Sequence, residues 1–95
     1  MRTVVLIRQA AQTDLREAYN WYQTQRPGLG DEFLVSITDA FTRLESEPHH
    51  FPVFYRGFRR VLIRRFPYRL FFRIEKDAAV VFRVIHVARD HSRQL

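Results

Sequence analysis

Between residues 58 and 89, arginines recur at alternate positions of apolar runs, and that period restricts what the stretch can become. In a strand, neighbouring side chains point to opposite faces, so a period of two separates two surfaces. Read as three strands, at 58–65, 68–74 and 80–87, one parity collects Val61, Ile63, Leu70, Phe72, Ile74, Val80, Phe82 and Val84. The other collects Arg60, Leu62, Arg64, Arg69, Phe71, Arg73, Arg83 and Ile85, with Arg89 just past the last strand. Only Arg59 and Arg65, at the ends of the first strand, break the rule. The alternation predicts an apolar face for a core and a cationic face opposite it.

A wet, polar outer face is ordinary in a two-layer domain. This one differs in two respects. It carries almost no acid to pair with its arginines, and Leu62, Phe71 and Ile85 are interspersed among them. Guanidinium groups mixed with apolar side chains suit an anion or an acidic partner better than plain solvation.

Charge is distributed unevenly along the chain. Residues 1–47 hold five arginines against seven acids, a balance of −2, whereas residues 48–95 hold ten arginines and Lys76 against three acids, a balance of +8. The cations are almost all arginine, which favours bidentate recognition of phosphate or carboxylate over diffuse attraction. With 95 residues and 46% hydrophobic content, the chain is read as a single domain, 1–95, with one core. No apolar run approaches the roughly 20 residues needed to cross a bilayer, and the amino-terminal run is too short for a signal peptide. The chain has no cysteine, so thiol and disulfide chemistry do not arise, and a cytoplasmic location is the default expectation.

Before the arginine-bearing strands, Val4 to Ile7 reads as a short buried strand. A first helix is predicted over 11–25, where Ala11, Leu15, Ala18 and Tyr22 form one stripe and Asp14 and Glu17 lie in or near the first turn. Tyr19 and Trp21 flank that stripe and are read as core packing. Arg26-Pro27-Gly28 ends this helix, and a second, over 30–47, carries Phe33, Ile37, Ala40 and Leu44 with Phe41 beside them. Pro48 stops it. The two helices form an antiparallel hairpin whose stripes cover the apolar sheet face. The resulting fold class is α+β, in the order β-α-α-β-β-β, with a helical hairpin packed on one face of a small, mainly antiparallel sheet.

Common catalytic templates are missing. The glycines stand at 28, 30 and 57 and build no phosphate loop. Ser36, Ser46 and Ser92 do not sit in nucleophile-type turns. His49 and His50 are adjacent, diverge, and lack a third ligand at suitable spacing, so no metal or other cofactor is expected. One chemistry stays open: RNA cleavage, in which arginines stabilise a phosphorane while a base deprotonates the 2′-hydroxyl. His86 is the base candidate, although its parity places it on the row facing the helices, at the core edge. His91, in the tail, is the other.

Several stretches together resemble the RelE/ParE superfamily of toxins from type II toxin–antitoxin systems. They are residues 10–22 (AAQTDLREAYNWY), 28–33 (GLGDEF), Arg59-Arg60 leading to 65–72 (RFPYRLFF), and 84–90 (VIHVARD). The similarity spans nearly the whole chain. It implies a compact α+β toxin neutralised by a small antitoxin, in a toxin–antitoxin hetero-oligomer and without a membrane partner. RelE-like members cut messenger RNA at the ribosome, and ParE-like members, associated with plasmid stabilisation, poison DNA gyrase. By resemblance, Arg69 and Arg89 stand where RelE-type nucleases keep phosphate-stabilising arginines, and Arg60 stands on a basic position. Those nucleases place a tyrosine or a histidine–tyrosine pair near the carboxyl end, where this chain has Ser92-Arg93-Gln94-Leu95. RFPY and IHVARD look closer to ParE-like members.

The expectation is therefore a ParE-like toxin that inhibits DNA gyrase by binding, with Arg60, Arg64, Arg69, Arg73, Arg83 and Arg89 as the partner-binding face. The alternatives are a ribosome-dependent endoribonuclease using Arg69, Arg89 and His86, and a non-toxic basic nucleic-acid-binding module.

Overall fold

A computed structural model describes residues 2–89 and 93–95 of the chain. Strand β1 spans Val4–Ile7, and helices α1 (Gln9–Gln25) and α2 (Leu29–Ser46) follow it. A single 3-10 turn at Pro48–His50 then leads into β2 (Val53–Tyr55), β3 (Phe58–Leu62), β4 (Tyr68–Glu75) and β5 (Ala78–His86). These strands form one sheet in the order β1-β5-β4-β3-β2. All its pairs are antiparallel except β1 with β5. The helical hairpin carries the chain across the sheet from β1 at one edge to β2 at the other, and β3 and β4 then lead back to β5 beside β1.

Both helical stripes are buried where the spacing put them. Ala11, Ala18 and Tyr22 of α1 and Phe33, Ile37, Ala40 and Leu44 of α2 pack on Val61, Leu70, Phe72, Ala79, Val81 and Val84 of the sheet. At one end an aromatic group ties the two helices to the β3–β4 turn. Phe66 stands edge-on to Tyr22 and Phe33, with centroids 4.9 and 5.3 Å apart, and Tyr68 meets Phe33 at 5.3 Å. Edge-to-face pairs of this kind add to the burial of large rings.

The helix crossing is close because Gly30 lacks a side chain. A Cβ there would lie 2.6 Å from Gln23 Cγ and 2.7 Å from the Tyr19 carbonyl oxygen. The N-cap of α2 is Gly28, in left-handed backbone at φ 92°, and offers no side chain to its own helix. Gln23 of α1 does so instead, its Oε1 accepting the N–H groups of Gly28 (3.0 Å) and Gly30 (2.8 Å). Asp31 and Glu32 in the first turn of α2 complement the helix dipole.

The structure departs from the sequence reading in several places. The connection after α2 contains the extra strand β2, joined to β3 by Arg56-Gly57, both with positive φ (48° and 80°). That pair of conformations is the one a two-residue hairpin with right-handed twist requires. A register shift between Phe71 and Phe72 pairs Phe71 with Arg83 but Phe72 with Val81, so β5 carries one extra residue at Phe82. Such a bulge reverses parity along the strand. Val80 consequently pairs with Arg73 across the sheet, and Phe82 joins the cluster on the face opposite the helices. Both were expected on the helix side, which Ala79 and Val81 occupy instead. Helix α1 begins two residues earlier than expected and has no acid in its first turn, so Asp14 serves a different purpose. Finally, Trp21 is exposed rather than packed in the core.

Candidate functional site

The sheet face turned away from the helices is not a flat cationic surface. At its centre Phe58, Phe71 and Ile85 are buried, with Phe54, Tyr55, Phe82 and Leu95 packed around them. Of the three apolar residues expected among the arginines, only Leu62 is exposed, at 60%. Burying the other two gives the face a small core of its own, and arginines cover and edge it. The Arg60 guanidinium lies 4.5 Å above the Phe54 ring and that of Arg73 lies 4.3 Å above Phe58. Guanidinium groups stacked in this way keep a fixed plane while their N–H edges stay available to a partner.

The six arginines of the expected binding face separate into groups. Arg60 and Arg69 pair across the sheet with Phe71 and with Leu62 and Ile85, and so share the outer face. Neither has an ion-pair partner among the described residues. Arg73 lies on the same face, and its Nη2 donates to the Arg56 carbonyl at 2.5 Å.

Arg83 is committed elsewhere. Its Nε donates to Asp14 Oδ2 at 2.7 Å, its Nη2 to Asp14 Oδ1 at 2.9 Å, and its Nη1 to Gln94 Oε1 at 2.9 Å. The hydrogen bonds it donates to Asp14 hold this guanidinium even more firmly in its charged form. Beyond Val81, no strand among the described residues pairs with β5 on the β1 side, and Asp14 Oδ2 accepts the Val84 N–H there at 2.9 Å. Arg64 also leaves the outer face, its Nε lying 3.7 Å from Asp39 of α2. Its neighbour Arg65 bonds Glu32 at 2.8 Å, and with Arg26 it holds that exposed carboxyl below the usual glutamate range.

Arg89 lies in a different region. With His86, Tyr68, Trp21, Asp14 and Glu17 it lines a cavity of about 1030 Å³ between α1 and one end of the sheet. Burial pushes the Tyr68 hydroxyl above its ordinary pKa, and the nearby positive charge of Arg89 offsets part of that rise. His86 stands edge-on to the Tyr68 ring at 5.2 Å, and its Nδ1 accepts the Ala88 N–H at 3.0 Å. It is half-buried at the core edge on the helix side, as its parity indicated.

The structure therefore brings His86 and Arg89 together but leaves Arg69 outside their cavity. His91 lies outside the described residues. Among the described residues no group of three or more histidines, cysteines or acids could hold a metal, and no helix is long and apolar enough to cross a membrane. Asp14 and Trp21 are the residues of this region whose roles the alternation could not indicate. One contacts its partner across 69 positions of sequence, and the other sits beside a stripe that periodicity assigns to the core.

The chain matches a family model described as "ParE toxin of type II toxin-antitoxin system, parDE" over residues 5–91. Among solved structures, a chain of the chromosomal ParDE TA system from P. aeruginosa superposes with a TM-score of 0.78 at 18% identity, over 88% of this chain and 95% of that one. At that identity the likeness is one of fold. A chain of the RelBE2 toxin–antitoxin complex from Mycobacterium tuberculosis superposes with a TM-score of 0.64 at 26% identity, over 90% of this chain and 99% of that one. A search of curated proteins finds no match.

Proposed function

The chain belongs to the ParE toxin family of type II toxin–antitoxin systems, and from that premise we propose that it acts by binding, inhibiting DNA gyrase until a cognate antitoxin covers it. The observation that carries this reading is the separation of the groups a nuclease would need. Arg69 stands on the outer face of the sheet, whereas His86 and Arg89 line the cavity beside α1. General-base catalysis requires the base within hydrogen-bond reach of the proton it takes, at the same phosphate that the cations stabilise. Arginine cannot take that part itself, because it stays protonated at any physiological pH. A binding mechanism needs only the surface that is present: Arg60, Arg69 and Arg73 around a buried aromatic centre.

The test is gyrase supercoiling and gyrase-mediated DNA cleavage with purified protein. Inhibition at micromolar concentration is the expected result, and unchanged gyrase at that concentration removes the target.

One observation favours a second reading. His86, Tyr68 and Arg89 share a cavity large enough for a nucleotide. Under this reading the chain is a ribosome-dependent endoribonuclease. Toeprinting of translated message separates the two, since only the nuclease leaves cuts at A-site codons.

A further inference from the structure

A second cavity, of about 510 Å³, opens where the start of α1 meets the outer face of the sheet. Four arginines line it, Arg8, Arg56, Arg73 and Arg83, and no acidic side chain does. Arg83 is neutralised by Asp14. The other three have no carboxylate partner among the described residues. The Nε of Arg73 is buried with no hydrogen-bond partner. A charged N–H left unpaired inside a protein carries a full desolvation penalty, so this guanidinium gains from an anion bound at its remaining N–H groups. The first turn of α1 adds to the positive potential, for it has no side-chain cap and no acid, and Gln9 and Ala10 line the same cavity.

The chemistry of the ligand follows from how the rings are used. Arg8 lies 4.6 Å above the Phe82 ring, and Arg73 lies 4.3 Å above Phe58 and 5.6 Å above Phe82. Phe58 and Phe82 also meet edge to face at 5.1 Å. The guanidiniums thus occupy ring faces on which a nucleobase would otherwise stack, and what they offer the cavity is N–H edges. Stacked guanidiniums with free N–H groups match the paired oxygens of a carboxylate or a phosphate. Gly57, in left-handed backbone at φ 80°, lies beside the Arg73 guanidinium, the position of a Cβ falling 3.6 Å from Arg73 Nε.

We propose that this cavity is an oxyanion-binding site, taking one carboxylate or phosphate group on Arg8, Arg56 and Arg73. The site does not depend on which cellular target the protein acts upon.

The experiment is an amide chemical-shift titration of the full chain, with inorganic phosphate in one arm and glutarate in the other. The expected result is saturable shifts concentrated at residues 8–10 and 56–58. Arg73→Gln should weaken binding about tenfold. Arg8→Gln, at an exposed position that the core does not use, should weaken it likewise if the site is real, and it covers the case in which the Arg73 variant misfolds. Arg64→Gln, outside the cavity, should leave the titration unchanged. Tighter phosphate than glutarate identifies a phosphate-bearing ligand, and the reverse order an acidic side chain of a partner protein; either order supports the site. Shifts that fail to saturate, or that persist unchanged in Arg8→Gln, overturn it.

Discussion

Asp14 binds Arg83 through both carboxylate oxygens, at 2.7 and 2.9 Å, and with one of them also accepts the Val84 backbone N–H. The pair fastens α1 to the part of β5 that β1 leaves uncovered, and the two side chains are only 9% and 20% exposed. Removing one partner leaves the other charge poorly solvated. Asp14→Ala is therefore expected to destabilise the fold by about 3 kcal/mol, measured by urea denaturation. The double variant Asp14→Ala/Arg83→Met should recover part of that loss, and a single-variant loss below about 1 kcal/mol would mean the pair is held only loosely.

Phe72 and Phe82 lie near each other in the sheet but serve different layers. Phe72 is wholly buried against the helices, so Phe72→Ala should cost about 3–5 kcal/mol. Phe82 is half-buried between Arg8, Arg73 and Phe58, and its truncation should cost roughly half as much. Thermal and chemical denaturation of the two variants decide this. Equal losses would place both rings in one core.

Gln23 caps a helix to which it does not belong. Gln23→Ala removes the acceptor for two N–H groups at the start of α2 and should cost about 1–2 kcal/mol. Gly30→Ala should destabilise by about 1–3 kcal/mol, because its methyl group would press on the Tyr19 carbonyl. A neutral Gly30→Ala would show that the helices can separate at no cost.

Glu32 accepts hydrogen bonds from Arg26 and Arg65, which depress its pKa in the folded state. A depressed carboxylate pKa contributes stability that is present above the unfolded value, about 4.3, and is lost as the pH falls through the lower folded value. The melting temperature of Glu32→Gln should therefore lie below that of the parent at pH 7 and converge on it as the solution is acidified below about 4. Added salt should narrow the gap at neutral pH. A difference that stays constant from pH 7 to pH 3 would locate the effect in packing instead.

The helical layer was legible because each stripe is apolar at one helical spacing and polar elsewhere, as Phe33, Ile37, Ala40 and Leu44 show. Strands β3 and β4 were legible for the same reason at period two. Strand β5 was legible as a strand, but the faces of its first half were not, because residues 78–82 are all apolar and alternation leaves no trace in such a run. The bulge at Phe82 is set by pairing with β4, a long-range contact that no local pattern records. The arginines illustrate the same limit. Parity placed the backbone of Arg83 correctly on the row of Phe71, but its long side chain is drawn to Asp14 across the uncovered strand edge. Arg64 lies beyond the last paired residue of β3, where parity no longer fixes direction, and Asp39 attracts it. Phe71 and Ile85 kept their expected face yet are buried, because β2 and the tail residue Leu95 add apolar side chains above them.

The most direct measurement is gyrase-mediated DNA cleavage with three forms of the purified protein: the parent, Arg69→Gln and His86→Ala. Recognition by the outer arginine face predicts that the parent and His86→Ala perturb gyrase alike while Arg69→Gln, folded as judged by circular dichroism, loses the effect. Loss of activity in His86→Ala with Arg69→Gln unimpaired would contradict it.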